Sequence, residues 1–507
     1  MGGILTLLAV ASFKARTSSP AQVVSLEKKS EVVSEVGAPG PQRAATSERE
    51  PSEPVAPELW SYLDRPAHAD ALESALPAPA DEIYYAKVDR QRLAAATSPL
   101  AQPGSRFEMT LPDGHVVPVV VSATESLGAD RYVTEAVIEG SEHGRAVFAY
   151  NEGELSATID DIDLGSWQVR AVGDSIAQVY QVNPTSLAPC GNTEHHHSKP
   201  HQAATPEITS LDEGAGAAAL GSAPVAGAEG TSYAVSITGS WPTATLLSST
   251  MTEVRVLVPY SKALLKTVSS ASVRSQIDLG MAAMNNNLKR SGVNVRVSLA
   301  GAPAVSYAQE YSGDATRVLD VALTRLANSI DGVLDDVHVL RSQAKADLVI
   351  FLTARTDTTN SGVGYLLKTP GDIFNATWAF SAVNYSQMHA GATFCHELGH
   401  NFGCNHDRSN ARTTAGVTMS GSYSYSYGHR FKGSNGSTYR TIMAYAPGGV
   451  VPYFSNPKIK VNGAAAGVNT GSSGEAYNAL TIQKNAAEVS AYDTNRLVLR
   501  IFRRLSS

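Results

Sequence analysis

Residues 396–407 read HELGHNFGCNHD. His396 and His400 are four apart, so on a helix both imidazoles project from one face. That spacing lets both bind one Zn2+, with Glu397 on the adjacent turn as general base. A tetrahedral catalytic site needs a third protein ligand and one open position for water. Gly403 lets the chain leave the helix at a backbone angle other residues resist, which places His406 to return as the third ligand. A bare HExxH should arise by chance in about one chain in a hundred of this length. Adding Gly403, His406 and Asp407 lowers that to roughly one in a million.

Such a helix needs a scaffold. Residues 386–395 can be helical, and Gly403 is a natural stop. Upstream, Glu253–Val258 reads as a strand, 262–290 as a helix and Asn294–Leu299 as a strand. Ala315–Ile330 reads as a helix, Ala346–Leu352 as a buried strand and Gly362–Leu367 as a short edge strand. This alternation predicts an α/β layer fold. Between residues 81 and 187 the texture differs. Short β-prone runs (Val117–Ser122, Tyr132–Glu139, Ala146–Tyr150, Ser166–Val172) are separated by turn signals, as in a mostly antiparallel β domain. Residues 188–245 read as a linker, accessible to proteases. Residues 27–80, rich in Ser, Pro, Ala and Glu, read as a disordered leader. Residues 1–26 carry an apolar run, Ile4–Val10, expected to act as a signal peptide although no basic residue precedes it. Residues 496–507 form a basic tail with four arginines. No segment reaches transmembrane length.

The string HExxHxxGxxHD resembles the zinc site of the metzincin metalloproteases, and the trailing Asp407 is similar to the adamalysin/reprolysin branch. Thr441-Ile442-Met443-Ala444-Tyr445 follows, with Met443 at the position of the methionine turn beneath the zinc. Tyr445 matches the place where astacins and serralysins carry a tyrosine near the metal. The continuation VPYFSNPKI (451–459) resembles bacterial reprolysin-like proteins, in texture the peptidyl-Asp metalloendopeptidases. The resemblance covers roughly residues 250–495. It implies an α/β (α+β) metzincin-type catalytic domain, residues 246–495, with a twisted, mostly parallel sheet and an active-site helix, preceded by a mostly β prodomain. It also implies that His396, His400 and His406 hold one zinc and that Glu397 takes a proton from water and passes it to the leaving amine. Tyr445 would donate to the oxyanion, and the edge strand would pair with an extended substrate. Asp407 is expected to cap a turn or support the ligands rather than bind metal. His389 and His429 are expected to be solvated.

Cys190 lies in Pro-Cys-Gly-Asn, just past the β domain. A thiolate is a good zinc ligand, so Cys190 is a candidate for filling the open position in a precursor, similar to the cysteine switch of matrix metalloproteases; a free thiol is the alternative. The run His195–His197 is expected to be polar linker. Cys395 and Cys404, nine apart, would lie roughly 13 Å apart on one helix, too far for a disulfide, and are expected to be buried and inert.

Residues 1–250 hold 15 Lys+Arg against 31 Asp+Glu, and residues 251–507 hold 25 against 16. The basic half has no dense Lys/Arg patch before its tail, which argues against nucleic acid as a partner, and no stable membrane insertion is expected. The split instead predicts an acidic prodomain, an intramolecular inhibitor, held over a basic enzyme. The expected function is that of a secreted zinc metalloendopeptidase made as a zymogen, acting on proteins or peptides. A zinc-binding adhesion module without catalysis and a zinc amidase or deacetylase are the alternatives. A preference for acidic side chains would need a basic pocket, for which Arg408, Arg430, Lys432 and Arg440 are candidates. Calcium sites are not legible, so Ca2+ stays open.

Overall fold

Nine strands at the amino-terminal end form one antiparallel sheet in a computed structural model that describes residues 58–94, 98–191, 248–372, 375–412 and 416–493. They are β1 (Trp60–Leu63), β2 (Tyr84–Val88), β3 (Arg106–Thr110), β4 (Val116–Gly128), β5 (Arg131–Ile138), β6 (Arg145–Asn151), β7 (Glu154–Asp161), β8 (Gly165–Gly173) and β9 (Ile176–Gln181). Their order is β1-β2-β9-β8-β7-β6-β5-β4-β3. The sheet curls until its edge strands meet, Tyr62 of β1 donating to the Thr110 carbonyl of β3 at 2.9 Å. Trp60, Phe107, Phe148 and Val169 fill the interior. Two short helices, α1 (Ala69–Ala75) and α2 (Arg90–Leu93), decorate it.

The expected leader boundary at residue 80 is therefore too late. Trp60 and Leu72 are buried, so residues within the expected leader belong to the folded β region. The signal peptide (1–26), most of the leader, the linker beyond residue 191, the run His195–His197 and the tail (496–507) lie outside the described residues. Among the described residues no helix is long and apolar enough to cross a membrane.

The second region is an α/β layer. Strand β10 (Thr252–Leu257) pairs in parallel with β12 (Val295–Gly301) and with β14 (Leu348–Thr353). β14 pairs in parallel with β16 (Phe380–Asn384), and β15 (Gly362–Gly364) closes the edge antiparallel to β16. Two-residue strands β11 (Tyr260–Ser261) and β13 (Ala304–Val305) extend the same sheet. Helix α3 (Ser270–Arg290) starts where Ser269 accepts from the Ser272 amide at 3.0 Å. Helices α4 (Val318–Ala327) and α5 (Asp336–Gln343) follow, and the motif-bearing helix α6 (Thr393–Asn401) packs against α3 through Phe394 and Gly280.

Helix α3 lies between the two regions. Leu279 and Ala282 pack on Val133, Val147 and Ala149 of the β domain. Beside this patch the contacts are polar. Ser272 donates to Glu154, and both Ser275 and Gln276 reach Ser156. Arg131 clasps Asp278 with bonds of 2.6 and 2.7 Å. That pair departs from the charge expectation, because here the arginine belongs to the acidic half and the carboxylate to the basic half. The pairs that follow the expected signs, Glu125–Arg296 and Glu135–Lys289, lie nearer solvent.

Candidate metal centre and active site

Helix α6 begins later than its sequence predicts. Gly391 and Ala392 both take left-handed conformations (φ 62° and 63°), so two short turns replace the first part of the expected helix. From Thr393 the helix runs uninterrupted and buries all nine of its residues.

His396 and His400 project side by side, their ring centroids 4.9 Å apart. The helix stops before Gly403, whose φ of +93° turns the chain back so that His406 comes to lie 4.8 Å from His400, centroid to centroid. A Cβ on Gly403 would stand 1.9 Å from the Ser422 hydroxyl. Gly403→Ala should therefore cost about 2–5 kcal/mol through backbone strain and overpacking. A thermal melt should show Tm falling by several degrees or more; an unchanged Tm would mean that the turn relaxes freely.

The ring atoms that do not face one another are fixed. His396 Nδ1 bonds the Ile442 carbonyl at 2.8 Å, and His400 Nδ1 bonds the Cys404 carbonyl at 2.8 Å. Each ring thereby directs Nε2 into the shared space, the arrangement that orients a metal-binding imidazole. His400 Nε2 lies 3.1 Å from His406 Nε2 and 3.6 Å from Cys190 Sγ. One ligand atom from each of Cys190, His396, His400 and His406 fits within 4.8 Å of the others, and all four residues are buried. His396 Nε2 is buried with no hydrogen-bond partner, a cost that a bound cation would remove. Burial holds His396 down at about 4, keeping it the neutral imidazole a metal requires. Three nitrogens and a sulfur converging in this way suit zinc.

Glu397 lies beside the group. Neither carboxylate oxygen has a hydrogen-bond partner, and burial pushes the acid up to about 8, the Cys190 thiol working the other way. The edge strand explains its glycines here: a Cβ on Gly362 would stand 2.5 Å from Glu397 Oε1, and one on Gly364 would stand 3.2 Å from Oε2. Met443 is fully buried under the helix, its sulfur 2.6 Å from where a Cβ on Gly399 would stand.

Asp407 stays outside the cluster. It accepts from the Tyr445 amide at 3.0 Å, the Asn410 side chain at 2.8 Å and Arg430 at 3.1 Å, tying the turn after His406 to the methionine turn. Tyr445 packs its ring 4.3 Å from that of His406, and its hydroxyl donates to the Cys190 carbonyl at 2.7 Å.

Cys190 arrives on an extended segment. The Ser361 amide donates to the Pro189 carbonyl at 2.9 Å, and the Gly191 amide donates to the Gly362 carbonyl at 2.8 Å. The segment rises along the edge strand in the same chain sense, and Leu187 sits against Gly391. Sequence spacing could not find Leu187 or the glycines of β15, since their roles exist only where distant segments meet.

Two expectations fail. His389 and His429 are half-buried rather than solvated, and neither is in the cluster. His389 faces the β domain across a cavity, while His429 stacks on Phe431 at 5.6 Å. Cys404 lies beyond the end of α6, not on it; it and Cys395 are buried and unpaired.

Residues 250–455 match the sequence model of Reprolysin_5, Metallo-peptidase family M12. The peptidyl-Asp metalloendopeptidase of Stenotrophomonas maltophilia strain R551-3 is 31% identical over 226 residues, which are 44% of this chain and 49% of that protein. The protein of the same name from strain K279a is 28% identical over 250 residues, 48% of this chain and 54% of that one. The chain thus spans about half the length of the curated relatives it matches. Metalloproteinase-II from Bacteroides fragilis aligns over 68% of this chain and 91% of its own at 10% identity and a TM-score of 0.34, a likeness too slight to bear on the fold. With the HExxHxxGxxHD string inside the matched stretch, residues 250–455 are similar to the reprolysin-like domain of metallopeptidase family M12 and to curated metalloendopeptidases.

Proposed function

We propose that the chain is a secreted zinc metalloendopeptidase held latent by its own amino-terminal β domain. The observation that carries this reading is the convergence of His396, His400, His406 and Cys190 beside a buried, unpartnered Glu397. The three imidazoles would hold the zinc in the working enzyme. Zinc, when bound, supplies a Lewis acid that polarises the scissile carbonyl and makes a water easier to deprotonate. Glu397, raised by burial, is suited to take that proton and return it to the leaving amine. The Tyr445 hydroxyl, now on the Cys190 carbonyl, would turn to the substrate oxyanion once the segment leaves. Strand β15 would then offer its edge to an extended peptide. Asp407 would act indirectly, by holding the Tyr445 backbone.

Cys190 would be the latency device. Its thiol lies at the metal group while the backbone on either side covers the edge strand. Secretion is supported by the apolar amino-terminal run, and the acidic preference by the name its relatives bear.

The test is direct. The processed chain should contain zinc and cut casein; 1,10-phenanthroline should abolish cutting and added zinc restore it. Zinc binding without cleavage would instead support an adhesion module, and hydrolysis confined to non-peptide amides would support the amidase reading. Replacing Cys190 with alanine in the full chain should shorten the lag before self-processing by at least about tenfold, since the loss of even one 1.4 kcal/mol contact gives that factor. An unaltered lag would leave the thiol without a role in latency.

A further inference from the structure

We infer that Arg440 reads an acidic side chain of the substrate, in a pocket that Leu187 borders while the β domain is in place. This rests on the endopeptidase reading and assigns its specificity to one residue.

A cavity of about 570 Å3 opens between the two regions, next to Phe394 and Cys395 of α6, lined by Arg440, His389, Gly391 and Val450 on one side and by Asp161 and Leu187 of the β domain on the other. Arg440 is 7% exposed. Its Nε donates to the Gly448 carbonyl at 3.0 Å and its Nη1 to the Ala444 carbonyl at 2.7 Å. Among the described residues its Nη2 has no acceptor and no carboxylate pairs with it. A guanidinium cannot lose its charge to escape such a setting; Asp407 offsets part of the cost of burial from a distance, while Arg430 adds to it. An incoming carboxylate would relieve that cost with a charge-assisted bond.

The location fits a substrate pocket. Arg440 precedes by two residues the Ile442 carbonyl that orients His396, and Nη1 holds the carbonyl next to Tyr445. Nη2 lies 3.8 Å from where a Cβ on Gly391 would stand, and a Leu187 methyl lies 2.4 Å from the same point. Leu187 and Arg440 therefore meet over Gly391, three residues along the chain from the thiol that reaches the metal group. Leucine offers no acceptor, so the blocking segment borders the pocket without satisfying its cation.

The other basic candidates are committed elsewhere. Arg430 pairs with Asp407. Arg408 donates to the Glu475 carbonyl and stacks on Tyr427 at 4.0 Å. Lys432 is exposed on the surface.

The test uses the full chain after processing and a peptide set identical except for Asp, Asn, Ala or Leu at each position flanking the scissile bond. The wild type should prefer Asp over Asn at one position by roughly 10- to 100-fold in kcat/KM, the worth of one bond to a charged group. Arg440→Gln should bring the Asp peptide down to the Asn level, so that the Asp-to-Asn ratio of kcat/KM falls to about one whatever the change in overall rate. Retained Asp preference in Arg440→Gln, or cleavage by the wild type with no acidic preference, overturns the assignment. A second variant places no demand on the core. Leu187 is half-buried, and Leu187→Asp should slow release of the β domain from the processed chain by a similar factor with Arg440 present and by none with Arg440→Gln. Equal release rates for Leu187 and Leu187→Asp overturn it too. Should the wild type cut no peptide at all, the endopeptidase reading fails, and the pocket is judged by the release rates alone.

Discussion

Replacing Glu397 with glutamine should lower kcat/KM on a peptide substrate by about 10²–10⁴-fold, the usual worth of a positioned general base. Zinc content and Tm should barely change. Glutamine has the same shape, and the carboxylate oxygens it replaces have no hydrogen-bond partners to lose. Gly362 and Gly364 leave room for this side chain, since a Cβ on either would crowd its carboxylate. The enzyme would thus lose its proton carrier and keep its ligands. Zinc analysis alongside single-substrate kinetics checks both halves. Activity within tenfold of wild type would mean that some other group moves the proton. Loss of zinc together with activity would mean that Glu397 shapes the ligand set rather than serving as base.

Breaking the Arg131–Asp278 pair should loosen the β domain far more than breaking any pair that follows the charge split. Asp278 is buried, its side chain 2% exposed, and Arg131→Ala would leave it with only the Arg274 contact at 3.3 Å. Truncating one partner of such a pair costs about 2–5 kcal/mol, which is at least roughly a 30-fold weaker grip after processing. Glu125→Ala, at a pair 44% exposed on both sides, should cost less than about 1 kcal/mol. Dissociation of the processed β domain, followed by size exclusion or by surface capture, separates the two. Equal effects would show that net charge, and not the buried clasp, holds the regions together. With the expected unequal effects, the opposed net charges of the halves would steer docking, while specific bonds of the opposite sign hold it.

The metal group was legible because its information is local. His396, Glu397, His400, Gly403 and His406 lie within eleven residues, and helix periodicity with one glycine turn brings them together. Cys190 was legible as a candidate zinc ligand, with a free thiol as the alternative; its place at the cluster depends on β-domain packing that no spacing encodes. Strand β7 escaped notice because Glu154, Ser156 and Thr158 interrupt its apolar pattern, and two of these meet polar partners on α3. A helix near the carboxyl end, Asn478–Val489, was missed for the same reason. Its buried Asn478, Thr481 and Asn485 bond to the Asn405 carbonyl, the Ser426 hydroxyl and the Phe402 carbonyl, so their polarity disguises a core-facing side. Burial of His389 likewise follows from the cavity that only the β domain completes.

The blocking residues Leu187 and Cys190 lie at the amino-terminal end of the span read as linker, residues 188–245. A cut beyond them would free the chain without removing the plug, which would remain covalently part of the β domain. Before the cut, the proposed plug would act at the high effective concentration of a tethered group, on the order of millimolar. After it, the same contacts would obey ordinary mass action, and occupancy would depend on how much of both pieces is present. Cleavage would then set up release, and dilution would complete it. Crowded together near their source, the molecules would remain largely quiet; spread through a larger volume, they would become active without any second enzyme.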